Sequence, residues 1–130
     1  GESAEIVDVG SPVTLMVKVA VQVAIPRLVL GYMIKDRWGQ PVFGTNTDHT
    51  RNVLCDLKPG ETPIFRFRFS AALGPGSYSV AVALHGADTH VLANYEWRDL
   101  ALVFSVVNMS RAAFVGSAWL PPEVQVERQA

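Results

Sequence analysis

Arg66 and Arg68 stand two residues apart in the run Phe65-Arg66-Phe67-Arg68-Phe69. In an extended chain the three phenyl rings share one face and both guanidiniums the other. Guanidinium forks donate to hydroxyls and pair with carboxylates or phosphates. On the plainer reading the two arginines are a solvated strand face. A second cluster follows in the loop-rich stretch from Gly86 to Asp99, with Asp88, His90, Tyr95, Trp97 and Arg98. Binding residues concentrate on loops carried by a rigid scaffold. The indole and phenol offer flat apolar faces with polar edges. The alternative for Trp97 is a lid on the end of the fold. Between the clusters, Ser77, Ser79, Ala81 and Ala83 form a row of small side chains that ends in His85. Such a row suits either the floor of a shallow groove or a place where another layer packs closely.

Other reactive types carry less. His49, His85 and His90 match no common metal-ligand spacing. Asp36, Asp48, Asp56, Asp88, Asp99 and Glu96 include no motif for the carboxylate pair, about 5–10 Å apart, of a glycoside hydrolase. Ser77 and Ser79 lie in a strand pattern without a nucleophile elbow. The single cysteine, Cys55, is expected to be buried among apolar residues, and it can form neither an intrachain disulfide nor a C-x-x-C metal site. Trp38, beside Arg37 in a turn, reads either as an exposed contact residue or as a cover for the core edge, and the covering role is preferred. Asn46 and Thr47 are expected to satisfy loop backbone groups rather than ligand. No cofactor is expected.

These side chains must be positioned by strands. Leu15, Val17, Val19, Val21 and Val23 alternate with Met16, Lys18, Ala20 and Gln22, and Pro26 is expected to end that strand. Lys18 and Gln22 project from its polar face. Leu28 to Lys35 reads as a second strand, with Gly31 marking a bulge or a close approach. Asp36 to Gln40 reads as a hairpin turn with Gly39 at positive φ, and Pro41, Val42 and Phe43 begin the return strand. Gly44 to Asn52 reads as a loop. Val53, Leu54 and Leu57 precede the turn Lys58-Pro59-Gly60-Glu61. After the phenylalanine strand and the turn Leu73 to Gly76, apolar Tyr78, Val80, Val82 and Leu84 alternate with the small row. Leu100 to Val107 is a further strand, and Val124 to Val126 suits a short final one. Seven or eight strands, with no sustained 3.6-residue period, indicate an all-β sandwich.

Composition agrees. The chain has 130 residues, 49% hydrophobic and 18% charged, with a formal net charge of −1. That length fits one domain over residues 1–130, able to bury roughly two thirds of its unfolded surface. Bulk charge does not favour nucleic acid, so no nucleic-acid partner is expected. No apolar run reaches the roughly 20 residues of a membrane-spanning helix. The acidic N-terminus lacks the basic start and apolar core of a signal peptide. The start without methionine and the polar end read as a fragment of a longer protein.

Three segments carry a family pattern: Gly31 to Thr47; Leu57 to Glu61 with Leu73 to Tyr78; and His85 to His90 with Tyr95 to Asp99 and Phe104 to Val106. In this order the chain resembles the C-terminal domain of Wzt from Ala4 to about Gly116. Wzt is the ATPase subunit of ABC transporters that export bacterial O-antigen polysaccharide. The resemblance implies an immunoglobulin-like or jelly-roll sandwich of two antiparallel sheets. It implies recognition of the exported glycan, often through its non-reducing terminal structure, and a homodimer in which the C-terminal strand is exchanged. It implies an ATPase domain before Gly1, a membrane-embedded transporter subunit as partner, and a place in the cytoplasm at the inner face of the bacterial inner membrane. This chain has no Walker A pattern and is not expected to be an enzyme. Where the family often has an aromatic pair, this chain has Trp97 followed by Arg98.

The expected function is therefore carbohydrate recognition. Arg66, Arg68, His85, Asp88, His90, Tyr95, Trp97 and Arg98 are the candidate contacts, with stacking on Trp97 or Tyr95. The alternative is an immunoglobulin-like protein-interaction module, since the fold alone does not separate these uses. A glycoside-active enzyme is the third reading. The stiff Pro121-Pro122 pair suits an extended arm that adds a strand to a partner's sheet edge.

Overall fold

The computed structural model describes residues 5–86, 96–98 and 101–129. Among them nine strands form two sheets, with no helix. The strands are β1 (Glu5–Asp8), β2 (Pro12–Ala20), β3 (Ile25–Asp36), β4 (Pro41–Asn46), β5 (Leu54–Leu57), β6 (Ile64–Ser70), β7 (Gly76–Gly86), β8 (Glu96–Arg98) and β9 (Ala101–Val107). The larger sheet runs β1-β9-β7-β3-β4, with β5 also paired to β3. The smaller runs β6-β2-β8. All pairings are antiparallel except β1 with β9, which is parallel, so the large sheet is mixed.

Alternation decides what each strand buries. On β2, Val13, Leu15, Val17 and Val19 are buried while Thr14 and Met16 are exposed. On β3, Leu28, Leu30, Tyr32 and Ile34 point inward; on β7, Tyr78, Val80 and Leu84 do so. The sheets meet where the Tyr32 ring packs against Phe67 at 4.8 Å and Phe69 at 5.9 Å between centroids. The phenylalanine strand thus supplies the facing layer of the core, as the alternation of β6 requires. The Tyr78 hydroxyl donates to the Gly74 carbonyl at 2.7 Å, which satisfies its one polar atom inside the core.

Several expectations change. Pro26 does not end β2, which already stops at Ala20; it lies in β3. There it lies between Ile25 and Arg27, which pair with β5, near the start of the strand, where a missing N–H is tolerated. Gly31 marks a close approach, not a bulge: an added Cβ would stand 3.3 Å from Asn46 Cβ. The bulge falls between Ile34 and Lys35. The return strand continues through Gly44 and Thr45 to Asn46, residues read as loop. Cys55 is exposed, because β5 covers β3 at the sheet edge with only Leu57 buried. Residues 124–126 form no strand and are exposed.

β4 and β5 lie end to end along the same edge of β3, and Thr47 fills the break between them. Its N–H donates to the Leu30 carbonyl at 2.9 Å, and its hydroxyl accepts from the Leu30 N–H at 3.0 Å. Thr47 is buried, and its side chain keeps the ladder complete where no strand continues.

After β9 the chain turns back over the end of the sandwich. Asp8 accepts from the Met109 N–H at 2.8 Å and the Ser110 hydroxyl at 3.1 Å. The Trp119 N–H donates to Ala72 at 3.0 Å, and its ring lies beside Gly10, where an added Cβ would meet it at 2.9 Å. The Arg111 guanidinium caps that ring at 4.7 Å. Beyond Trp119, residues 120–129 are exposed.

Two outcomes follow from these contacts. Thr47→Val leaves the buried Leu30 N–H unpaired and should lower unfolding stability by about 1–3 kcal/mol in a denaturant titration, with Thr47→Ser close to wild type. The Met109 N–H chiefly, and the Ser110 hydroxyl with it, hold the Asp8 carboxyl below its ordinary value of 3.8 against the opposing effect of desolvation. Because folding lowers this pKa, its contribution is present above pH 3.8 and is lost as pH falls through the lower folded value. Amide exchange at Met109 should therefore accelerate, relative to the intrinsic rate, in that acid window. In Asp8→Asn it should already be faster at neutral pH.

Candidate functional site

The outer face of the large sheet carries a cavity of about 620 Å³. Its floor comes from the outward-pointing residues of three paired strands. From β7 come Ala81, Ala83 and His85; from β3, Gly31, Met33 and Lys35; from β4, Gly44 and Asn46. The ladder fixes their order, with Gly31 between Ala83 and Asn46, and Met33 between Ala81 and Gly44. The floor is low because these side chains are small. The Met33 thioether lies against Gly44, where an added Cβ would meet Met33 Cε at 2.8 Å. His49, from the loop that follows Thr47, completes one wall. Its N–H donates to Asn46 Oδ1 at 2.7 Å, which ties that wall to the end of β4.

From Ala81 to His85 the floor extends about 13 Å, longer than one pyranose ring. Lys35, His49 and His85 are the basic side chains of the lining, and among the described residues no carboxylate joins them. The nearest ion pair, Arg27 to Asp48 at 2.9 Å, joins two exposed side chains and leaves the groove free. The arrangement offers an apolar floor flanked by hydrogen-bond donors and acceptors. Among the described residues it has neither the carboxylate pair of a glycosidase nor a nucleophile beside a base. Among the described residues no three His, Cys, Asp or Glu side chains come together as a metal site requires.

His85 stands in this groove at the end of the small row, and Ala81 and Ala83 form its floor. Arg66 and Arg68 do not join it. They are exposed on β6, across from Met16 and Thr14 of β2, with Lys18 further along the same outer face. That is the far side of the molecule, separated from the groove by both sheets and the core, a thickness of at least about 10 Å. The expected candidates Arg66 and Arg68 are thus not brought together with His85 in one groove. Trp97 and Arg98 belong to β8, in register with Val19 and Lys18, so their backbone lies in the small sheet. Asp88, His90 and Tyr95 lie outside the described residues.

Lys35, Met33 and His49 were not legible as site residues. Nothing local in the sequence tells which strand neighbours β7, and the groove exists only through that pairing. Asn46 serves the loop backbone as expected and lines the groove as well. Trp38 does not cover the core edge: at 72% exposure its ring stands in solvent.

Comparisons with known proteins bear on the fold and the family. The family model described as the Wzt C-terminal domain matches residues 1–120. No curated protein matches the chain. A solved structure titled "Crystal structure of the C-terminal domain of wzt" superposes with a TM-score of 0.73 at 17% identity, covering 93% of this chain and 73% of that one. At that identity the superposition establishes the shared sandwich. The family match extends over nearly the whole chain, and the chain belongs to the Wzt C-terminal domain family, the non-catalytic carbohydrate-binding part of O-antigen transporters.

Proposed function

We propose that the domain holds its O-antigen polysaccharide in the groove on the outer face of the large sheet, with the non-reducing terminal structure seated between His49 and His85. The groove itself carries this reading: a cavity of about 620 Å³ with a floor of glycine, alanine and Met33, the polar ends of Lys35, Asn46 and His85 along it, and His49 in one wall. Small floor residues let a pyranose ring approach the backbone, and the rim donates and accepts hydrogen bonds to hydroxyls. Each such bond replaces one to water, so affinity per contact is modest. The Lys35 ammonium at the rim would pair with a carboxylate or phosphate on an acidic glycan end.

In this reading the exporter retains its polymer by binding, while ATP hydrolysis belongs to a domain preceding Gly1. The whole protein acts at the cytoplasmic face of the inner membrane beside its membrane-embedded partner subunit. Two copies raise the effective affinity for a polymer that engages both. The exposed segment after Trp119 supports such a dimer. Leu120, Val124 and Val126 are at least three-quarters exposed in one chain, and a strand-like arm added to a second copy's sheet edge would bury them.

Two experiments test these statements. Nuclear magnetic resonance titration with fragments of the cognate O-antigen should shift amides around Ala83, His85 and His49. His85→Ala should weaken binding roughly fivefold, and Ala83→Phe, which fills the floor from an exposed position, should abolish it. Arg66→Ala with Arg68→Ala should leave it unchanged; loss of binding in that double variant, with Ala83→Phe unaffected, would move the site to the small sheet. Truncation after Trp119 should convert a dimer to a monomer by light scattering while keeping the sandwich folded. A truncated chain that remains dimeric overturns the exchanged arm.

A further inference from the structure

The hairpin between β3 and β4 holds an aromatic ring away from the core. Asp36 Oδ1 accepts from the N–H groups of Trp38 and Gln40, each at 2.9 Å, and Gly39, at φ +80°, donates to the Asp36 carbonyl at 3.0 Å. The turn is therefore fixed by its own bonds and needs no packing from the indole. The Arg37 guanidinium lies 4.1 Å from the Trp38 ring centroid and covers one face. Since 72% of the residue is exposed, the other face is open to water. A large apolar ring held on a rigid turn, with one face protected and one presented, is arranged for stacking.

Beside it lies a cavity of about 390 Å³ whose lining includes Asp36, Trp38, Pro75 and Ser77. Ser77 belongs to the same outward row of β7 that forms the groove floor. Ser79 alone separates it from Ala81 in that row, and Ser79 pairs with Lys35 at the groove's near end. The row from His85 to Ser77 spans eight residues, about 26 Å of continuous outer surface.

We infer that Trp38 is a carbohydrate-stacking subsite that extends the groove beyond Lys35. It takes the apolar C–H face of a pyranose ring further along the same chain, with Ser77 and Asp36 placed for its hydroxyls. The inference rests on the groove as the glycan site and adds that recognition covers several sugar units rather than the terminal one alone.

The test uses fragments of the cognate O-antigen graded by length, with the wild-type chain, Trp38→Ala and Trp38→Phe. Short fragments that shift only the amides near His85 should bind all three proteins equally. Fragments long enough to reach Ser77 should bind Trp38→Ala roughly three- to tenfold more weakly, with Trp38→Phe retaining most of the affinity. Indole emission should respond to long fragments in the wild type and lose that response in Trp38→Phe. Unchanged thermal midpoints would show that both variants keep the fold. If groove amides shift while Trp38→Ala matches wild type at every length, the subsite is overturned and the groove stands. If no fragment shifts the groove in the wild type, both fall.

Discussion

The ladder between β3 and β7 is the constraint on which the rest of the molecule depends. It runs from Leu28 opposite Gly86 to Asp36 opposite Tyr78 without a slip. On its inner side it brings Leu30, Tyr32 and Ile34 beside Tyr78, Val80 and Leu84, the centre of the core. On its outer side the same register sets Gly31 and Met33 beside Ala83 and Ala81, the floor of the groove. A shift by one residue would exchange the two faces, sending tyrosine to water and alanine into the core. Core and groove are thus specified by one set of hydrogen bonds. The apolar energy that fixes the register also fixes the site.

Much of this architecture is legible in the sequence because burial is one-sided. The valines of β2, the phenylalanines of β6 and the alternation of β7 each identify a face by composition alone. Where the pattern is weak, reading fails for definable reasons. β1 is short, and Glu5 to Asp8 take their parallel place only because β9 offers an edge. Gly44, Thr45 and Asn46 look like loop, yet they pair with β3 because its neighbouring side chains need a low partner there. Cys55 is exposed because β5 is an edge strand, a property of the assembled sheet. The site divides in the same way. His85 and the small row can be picked out within one strand. Lys35, Met33 and His49 come from other segments, and only the strand order brings them to the groove.

Strand order also separates the charges. Lys18, Arg66 and Arg68 gather on the exposed face of the small sheet, far from Lys35 and the two groove histidines on the large one. The molecule therefore presents two surfaces of different character. One is concave, lined by small residues and mildly basic. The other is a pleated face that carries long, fully charged side chains. A groove of the first kind gains from close approach of a ring to the backbone. Any contact to the second would be made at the reach of its guanidiniums and would respond to salt. These properties distinguish the faces more sharply than their shared positive charge connects them.

Thr47 has a consequence for how such a domain can change. Its paired bonds to Leu30 close the sheet edge before the chain enters the segment 48–53, so the ladder there is completed by Thr47 itself rather than by the side chains of that segment. The wall that carries His49 is thus an interchangeable part mounted on a fixed frame. Residues there can be lengthened, shortened or replaced while the register of β3 and the packing beneath it stay as they are. A change of chemistry along that short border would leave the frame beneath it in place.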